Sequence, residues 1–358
     1  MKRSILRLIR TLHAWGGITL ALLLMLSSVT GTLLIWKEDY VKLTTPEAQL
    51  EFIPEPAVLA RIAEAVEAQW DNNDILNIQF ATQEFPLTKV TLYDTNYAYV
   101  DINGNVVDQW HMNDRIEEWL YDLHHRLLLE DLGLTITGLA AIALIILVLL
   151  GVITFIPLRR HFKKGPLPRN TTRIAMLDSH RNLGILLALP LLVTLVTGIT
   201  LAFPVEVEEL LLEELRRTQE YSDAMVVGID DINGEGVGDW LPAMERTLAV
   251  FPGAVIRSAS VPNGFSVHRI IGVQQPGDIN RNGLSLTYVD EELGYMDLRI
   301  DAQGFPAVER AVNAGYPLHT ARAGSLLYKL FMTVCGTGAA LLSGLGLASF
   351  VKSRLNRA

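Results

Sequence analysis

Four long apolar runs dominate the pattern of hydrophobic and polar positions along the chain. They cover residues 12–36, 132–157, 183–204 and 326–351, and the second run contains no charged residue. A helix needs about 20 residues to cross the ~30 Å hydrocarbon core of a bilayer, whereas a surface helix of a soluble protein keeps a polar face. Each run therefore predicts a membrane-spanning helix, and together they predict an all-α four-helix transmembrane bundle.

The two long segments between these helices have mixed patterns that predict small α+β domains. In each segment a stretch of helical periodicity is followed by strand-like runs. The helices are predicted at 56–70 and 239–251, and the strands at 75–81, 87–93, 97–102, 254–260, 265–273, 284–290 and 294–300. Residues 205–219 predict an amphipathic helix beside the membrane. We therefore expect two α+β domains, at 37–131 and 205–325.

Basic residues are concentrated before the first apolar run, in the connection 158–182 and in the tail 352–358. They are Lys2, Arg3, Arg7, Arg10, Arg159, Arg160, Lys163, Lys164, Arg169, Arg173, Arg181, Lys352, Arg354 and Arg357. Basic residues that flank a span stay in the cytoplasm, which predicts a bacterial inner-membrane protein with both termini cytoplasmic and both domains periplasmic. The first segment, 1–36, has too long an apolar run for a signal peptide and no A-x-A site after it, which predicts an uncleaved anchor.

The composition agrees with a membrane location and excludes several chemistries. Hydrophobic residues make up 50% of the chain and charged residues only 19%, which is unusually apolar. The two predicted domains carry net charges of about −13 and −10, and acidic surfaces repel nucleic acid. We therefore expect the lipid bilayer, and no nucleic acid, among the partners. Cys335 is the single cysteine, which excludes a disulfide or a CxxC metal site, and we expect it to pack within the fourth helix.

The first and third apolar runs carry the same motif with identical spacing, H-x3-G-I-x11-T-G. It begins at His13 in the first run and at His180 in the third. The second and fourth runs also correspond, because a Leu-His pair precedes each of them, at 123–124 and 318–319. Self-similarity of this kind indicates a duplicated architecture. The sequence therefore predicts an internal two-fold repeat whose boundary lies near residue 165.

Four of the eight histidines lie at the ends of the predicted helices, with one pair at each membrane face. His13 and His180 lie at the cytoplasmic ends, and His124 and His319 at the outer ends. Coordinating residues at membrane depth are costly and tend to be functional, and histidines on facing helices can hold a cofactor in a bundle. Zinc would need three or four clustered ligands, whereas two histidines suit the axial positions of a haem iron. The pattern predicts two haems, with His125 as an alternative or neighbouring partner for the outer one.

Glycines and arginines near these histidines predict further contacts with a haem. Gly17 and Gly184 lie four residues after His13 and His180, on the same helix face, where a flat macrocycle could lie against the backbone. Four arginines are expected to pair with haem propionates, because guanidinium matches a carboxylate bidentately. They are Arg10 and Arg181 on the inner side and Arg126 and Arg322 on the outer side.

Other polar residues are expected to have structural or solvated roles. Thr30 and Thr197, each followed by glycine, are expected to allow close helix packing. Three histidines have no predicted partner and are expected to be solvated: His111, His161 and His268. Three carboxylates before His124 are also expected to be solvated, the alternative being that they receive a released metal cation through oxygen ligands. They are Glu117, Glu118 and Asp122.

The motifs that contain these residues resemble the PepSY-associated transmembrane family, which includes inner-membrane ferric-siderophore reductases. They are LHAWGG at 12–17, VTGTLL at 29–34, YDLHHRLLLEDLG at 121–133, DSHRNLG at 178–184 and PLHTARAG at 317–324. The resemblance covers nearly the whole chain, and the first outer segment, which ends in YVDINGNV at 99–106, is similar to a PepSY module. It implies b-type haems held by His13, His124, His180 and His319. Family members usually have glycine where Glu130 stands.

The predicted function is that of a diheme b-type membrane cytochrome that reduces a ferric siderophore or another ferric chelate in the periplasm, for iron uptake. Such a haem-dependent oxidoreductase needs no acid-base or nucleophilic residue, and none is evident. The cytoplasmic parts contain no Rossmann or flavin fingerprint, so a cytoplasmic reductase or quinol must donate the electrons. The rival prediction is a PepSY-type binding or regulatory membrane protein without redox activity. A transporter is less favoured, because the spans lack ionisable residues near the midplane.

Overall fold

The computed structural model of the protein describes residues 3–162, 167–218, 221, 225–226, 239–264, 266–292 and 296–355. Some residues named in the sequence analysis lie outside this description: Lys2, Lys163, Lys164, Arg357, residue 219 of the predicted amphipathic helix, residues 265 and 294–295 of two predicted strands, and the side chain of His161. The chain forms two compact units. The helix unit contains residues 1–36, 120–207 and 318–358, and the sheet unit contains residues 37–119 and 208–317.

Among the described residues, four helices are long and apolar enough to cross a membrane, in agreement with the four predicted spans, and the chain is a multi-pass membrane protein. They are α1 (Arg3–Leu34), α5 (Glu130–Phe155), α6 (Arg173–Ala202) and α11 (Leu326–Leu355). Helix α6 begins at Arg173 rather than at residue 183, because the Thr172 side chain caps it by accepting a hydrogen bond from the Ala175 amide. An N-cap of this kind satisfies a backbone donor in the first turn, so polar residues that precede the apolar run are helical.

The four long helices pack in the cyclic order α1, α5, α6, α11, with each helix against two neighbours. Small residues allow close approach: a Cβ added at Gly336 of α11 would overlap the Thr32 side chain of α1. Cys335 is buried in a cluster with Leu183, Leu187 and other apolar residues of α6 and α11, as expected from the sequence. The bundle therefore brings residues from separate apolar runs next to one another.

Seven shorter helices are also described. They are α2 (Lys37–Thr44), α3 (Pro56–Gln69), α4 (Ile116–Arg126), α7 (Pro204–Leu211), α8 (Trp240–Val250), α9 (Ala307–Asn313) and α10 (Gly315–His319). The amphipathic helix predicted at 205–219 is shorter than expected, since α7 ends at Leu211 and a 3-10 turn follows at Leu215–Arg217.

The sheet unit contains nine described strands in one antiparallel sheet, with the order β4-β3-β2-β1-β6-β7-β8-β9-β5. The strands are β1 (Ile75–Gln79), β2 (Thr88–Leu92), β3 (Asn96–Val100), β4 (Val106–His111), β5 (Met225–Val226), β6 (Val255–Ser260), β7 (His268–Gln274), β8 (Ser285–Asp290) and β9 (Met296–Ile300). Each outer segment supplies one four-stranded meander. The two predicted domains are therefore joined into one, because β1 pairs with β6.

The largest described apolar core of the sheet unit lies between this sheet and helices α3 and α8. It contains residues of both outer segments, including Ile78 from β1 and Ile271 from β7. Trp240 of α8 is 1% exposed and is among the largest fully buried side chains. Its indole nitrogen donates to Glu67 of α3 at 2.7 Å, which satisfies a polar group that would be costly to bury alone. The two segments are consequently stabilised by one shared core.

Candidate functional site

The helix unit brings four of the predicted histidines together as two facing pairs. His13 of α1 and His180 of α6 have ring centroids 6.2 Å apart, with an interplanar angle of 63°. His124 of α4 and His319 of α10 have ring centroids 6.1 Å apart, with an interplanar angle of 49°. Both pairs join histidines that lie far apart in the sequence, as the motif spacing predicted.

The rings of the first pair are fixed by backbone carbonyls on neighbouring helices. His13 Nδ1 lies 3.0 Å from the Leu147 carbonyl oxygen of α5, and His180 Nδ1 lies 2.9 Å from the Leu342 carbonyl oxygen of α11. A carbonyl oxygen can only accept, so Nδ1 must carry the proton in both rings. Each Nε2 then has a lone pair available for a metal ion.

The rings of the second pair are fixed by the hydroxyls of Thr30 and Thr197, two residues that were expected to serve helix packing. His124 Nδ1 lies 3.1 Å from Thr30 Oγ1 of α1, and His319 Nδ1 lies 3.1 Å from Thr197 Oγ1 of α6. His319 Nδ1 is also 3.1 Å from the Thr194 carbonyl oxygen, which requires a proton on Nδ1. The repeated Thr-Gly in the two motifs was the sequence signal for this contact, but spacing along one helix does not reveal a partner on another.

Each histidine ring also packs edge-on against a glycine of the neighbouring helix. We call these residues the ring-contact glycines: Gly151 beside His13, Gly346 beside His180, Gly31 beside His124 and Gly198 beside His319. A Cβ added at them would lie 3.1, 3.1, 2.8 and 3.2 Å from the ring Cε1 atoms, in that order. These are tighter than ordinary van der Waals contacts, so a side chain would displace the ring.

Gly17 and Gly184, the two glycines of the sequence motif, differ from the ring-contact glycines in their surroundings. A Cβ at Gly17 would have no atom within 4 Å, and one at Gly184 would meet only Leu342 Cδ1 at 3.6 Å. Neither contacts a histidine ring, so the glycines that shape the pairs lie on facing helices rather than one turn along the same helix. Gly17 and Gly184 leave room for a ligand beside α1 and α6, and their contact with a macrocycle stays a prediction.

His125 does not occupy the position opposite His319, which is taken by His124. The His125 ring lies 5.3 Å from the Tyr121 ring, with 32° between the planes. Its carbonyl oxygen accepts a hydrogen bond from Thr137 Oγ1 of α5 at 3.0 Å. Of the two adjacent histidines, the geometry favours His124 as a ligand and gives His125 a neighbouring role.

A tight reversal between α4 and α5 positions His124. Leu127, Leu128 and Glu130 have φ values of 54°, 59° and 52°, in the left-handed region that non-glycine residues adopt at a cost. Glu130 is the position where the resembling family usually has glycine, and its backbone conformation explains that preference. Gly133 is required for a second reason, since a Cβ there would overlap the Arg126 carbonyl oxygen.

Two of the four predicted arginines carry buried donors, and each lies within two residues of a paired histidine in the sequence. The Nε atoms of Arg181 and Arg126 are buried and have no hydrogen-bond partner among the described residues. Arg181 also forms an ion pair with Asp178 at 3.0 Å through its terminal nitrogen. Arg10 is exposed and Arg322 is half-buried. A buried unsatisfied N–H group is costly, so Arg181 and Arg126 are suited to an anionic ligand group.

The two pairs fit the axial ligands of a haem better than they fit a cage for a bare metal ion. Among the described residues, no group of three or more His, Cys, Asp or Glu is placed to hold a metal ion. A bond from metal to imidazole nitrogen is about 2 Å long, so two imidazoles on opposite sides of one iron have ring centres about 6 Å apart. The observed separations of 6.2 and 6.1 Å match that spacing. The Nε2 lone pairs are suited to bind an iron, and the buried Nε atoms of Arg181 and Arg126 are suited to donate to the propionates of a haem.

The acidic residues before His124 are buried, so the prediction that they are solvated is wrong. Glu117, Glu118 and Asp122 are 4%, 5% and 6% exposed. Glu117 pairs with Arg115, and Glu118 Oε1 lies 2.8 Å from Lys37 Nζ and 3.2 Å from Lys89 Nζ. Glu117 and Glu118 therefore already form ion pairs with basic side chains. These contacts do not favour the alternative prediction that the carboxylates receive a released metal cation.

Glu118 should stabilise the sheet unit in a pH-dependent manner. Burial alone would raise its pKa, but Lys37 and Lys89 together outweigh burial and lower the pKa below its ordinary value of 4.5. The stabilisation is then present above about pH 4.5 and is lost as the pH falls through the lower folded-state pKa. Glu118→Gln should cost about 1.5–3 kcal/mol near neutral pH, measured by thermal unfolding. It should also flatten the loss of stability on acidification, unlike the exposed-site control Glu64→Gln.

The remaining histidines lie in the sheet unit or outside the described side chains. His111 is exposed, and its Nε2 is 2.7 Å from Thr95 Oγ1, consistent with the solvated residue expected. His268 is half-buried and contacts Ser266 Oγ at 3.2 Å, so it is not fully solvated. Neither lies in the helix unit with the two pairs.

Comparison with known proteins identifies one family. Residues 10–353 match the sequence model of the family described as the PepSY-associated TM region. The match includes all four histidines of the two pairs and the four ring-contact glycines. No curated protein matches the chain.

Proposed function

We propose that this chain, which belongs to the family of the PepSY-associated TM region, is a b-type membrane cytochrome with two haems. It passes electrons outward across the bacterial inner membrane and reduces a periplasmic ferric chelate, such as a ferric siderophore, for iron uptake. We call the haem assigned to His13 and His180 the inner haem, and the haem assigned to His124 and His319 the outer haem.

The observation that carries the proposal is the presence of two facing imidazole pairs with Nδ1 engaged and Nε2 free. Both pairs contact α1, the first through His13 and the second through Thr30. The helix from residue 13 to residue 30 is about 26 Å long at 1.5 Å per residue, which is most of the ~30 Å hydrocarbon core. Two sites at this separation are suited to a relay between the two membrane faces, whereas one site would leave most of the membrane uncrossed.

The protein's own residues hold, orient and shield the two sites. Haem iron would supply one-electron transfer, alternating between its ferrous and ferric states. The Leu147 and Leu342 carbonyls and the Thr30 and Thr197 hydroxyls set the tautomer and direction of the imidazoles, as partners of ligating histidines commonly do. The buried Nε atoms of Arg181 and Arg126 are available to bond propionates.

The orientation and the internal repeat form part of the proposal. Basic residues at both ends of the chain and in the connection between α5 and α6 favour cytoplasmic termini. Equivalent contacts support the repeat. Each inner histidine bonds the carbonyl of a leucine and contacts the glycine four residues after that leucine. Each outer histidine bonds a threonine hydroxyl and contacts the glycine that directly follows that threonine. The electron donor is a separate cytoplasmic reductase or quinol.

Rapid mixing of the reduced protein with ferric chelates tests this function. The purified protein, reduced with dithionite and freed of excess reductant, is mixed with ferric hydroxamate chelates in the presence of a ferrous trap. We expect haem reoxidation at the same rate as ferrous release, with one ferrous ion formed for each electron lost. Reduced haem that persists with every ferric chelate, yet reoxidises with another periplasmic acceptor, would contradict the ferric-reductase assignment. A colourless protein would favour the binding or regulatory alternative.

A further inference from the structure

The two histidine pairs differ in what their Nδ1 atoms bond. In the inner pair, each Nδ1–H donates to one backbone carbonyl, that of Leu147 or Leu342, at 3.0 and 2.9 Å. In the outer pair, each Nδ1 contacts a threonine hydroxyl at 3.1 Å, and His319 Nδ1 contacts the Thr194 carbonyl oxygen as well. Among the described residues, a threonine hydroxyl therefore lies beside each outer histidine, whereas Nδ1 of each inner histidine bonds a backbone carbonyl.

Both threonine hydroxyls are oriented to accept a proton from histidine. Thr30 Oγ1 donates to the Leu26 carbonyl oxygen and Thr197 Oγ1 donates to the Val193 carbonyl oxygen, each at 2.9 Å. A hydroxyl has one proton and two lone pairs, so an oxygen that donates to its own helix remains free to accept the Nδ1–H. At His319, one N–H is then shared between a hydroxyl and a carbonyl.

An acceptor on Nδ1–H makes the imidazole a more basic ligand through its other nitrogen. A more basic axial ligand stabilises ferric over ferrous iron, and hydrogen bonding around the ligands is one of the means by which a protein sets a haem potential. From the additional acceptors, we propose that the Thr30 and Thr197 hydroxyls lower the reduction potential of the outer haem. They are positioning residues that act through His124 and His319.

A low outer potential has a direct use in the proposed function, on which this inference rests. A chelate that binds ferric iron tightly is difficult to reduce, so its electron donor must be a strong reductant. A lower outer potential weakens the driving force for electron transfer from the inner to the outer haem. A membrane potential that is negative inside offsets this loss, because it favours outward movement of electrons. The threonine contacts would thus make the outer haem a strong enough reductant for an acceptor that is difficult to reduce.

Redox titration of threonine variants tests the inference without measuring catalysis. Thr197→Val removes the hydroxyl and keeps the side-chain shape, and it should raise the potential of the outer haem, identified as the haem lost in His319→Ala. The equilibrium constant for moving an electron from the inner to the outer haem should increase about tenfold, which is 59 mV for a one-electron couple. Thr30→Val acts on the other imidazole of the same haem and should shift the potential in the same direction.

Two control variants separate a hydrogen-bond effect from a packing effect. Thr197→Ser keeps a hydroxyl, so the equilibrium constant for electron transfer from the inner to the outer haem should stay within about twofold of its value in the unmodified protein. Thr200→Val lies on the same helix, and its hydroxyl bonds the Thr197 carbonyl oxygen at 2.8 Å, so it should leave the potential unchanged. An outer potential that stays constant or falls in both valine variants would overturn the inference while the two-haem assignment stands. A protein that binds no haem would overturn the proposed function as well.

Discussion

Replacing His319 with alanine should remove the outer haem, lower the haem content from about two to about one per chain, and reduce ferric-chelate reduction to background. The ring faces His124 at a centroid distance of 6.1 Å, so its loss leaves the outer site with a single axial ligand. Pyridine haemochrome assay and redox titration of the purified variant would measure both changes. His124→Ala should remove the same haem, and the double variant should lose no more haem than either single variant.

The adjacent His125 provides a matched control for this prediction. Its ring lies against Tyr121, so His125→Ala should keep two haems. The inner pair should behave as an independent unit, because His13→Ala and His180→Ala should each remove the inner haem and leave the outer haem reducible by dithionite. If His124→Ala and His319→Ala removed different haems, or if His125→Ala alone removed the outer haem, the pairing would be wrong.

Adding a single methyl group at Gly31 should weaken the outer haem about 10- to 100-fold in affinity, as is typical when the orientation of a metal ligand is disturbed. A Cβ there would lie 2.8 Å from His124 Cε1 and 3.3 Å from Nδ1, so the ring must move away from Thr30. Gly198→Ala should have a smaller effect, because its Cβ would lie 3.2 Å from His319 Cε1. Haem titration of the apoprotein followed by absorption would measure the affinities.

Gly17 is the matched control on the same helix, because an added Cβ there has no atom of the protein within 4 Å. Gly17→Ala should leave the affinity for the outer haem unchanged. A loss confined to the inner haem would instead verify the sequence-based prediction that a macrocycle lies against Gly17. If Gly31→Ala and Gly17→Ala had equal effects on the outer haem, ring contact would not be the reason for glycine at position 31.

The membrane helices could be predicted because continuous apolar runs encode a span locally. The start of α6 was less evident, because this helix begins at Arg173, after the Thr172 cap, and includes the charged residues Asp178 and Arg181 that precede the apolar run. The joining of two predicted domains into one sheet also escaped the sequence. It depends on the pairing of Ile78 in β1 with Ala259 in β6, and no local pattern specifies the partner of a strand so distant in sequence.

The sequence predicted which histidines face each other and missed the contacts that support them. The duplicated motif placed His13 with His180 because identical spacing in two helices suggests equivalent positions. The same motif predicted haem contacts for Gly17 and Gly184, each of which lies on the same helix as its histidine. The ring-contact glycines and the bonding acceptors, such as Gly346 and Leu342 for His180, lie on a neighbouring helix. Periodicity identifies one face of one helix, whereas these contacts depend on which helices become neighbours.

The haem content and absorption spectrum of the purified wild-type protein test the central claim most directly. After expression with sufficient haem, the pyridine haemochrome assay should give about two b-type haems per chain. The reduced and oxidised spectra should be those of six-coordinate, low-spin iron with two histidine ligands. A haem content near zero, or a single haem that survives alanine substitution of either pair, would contradict the account.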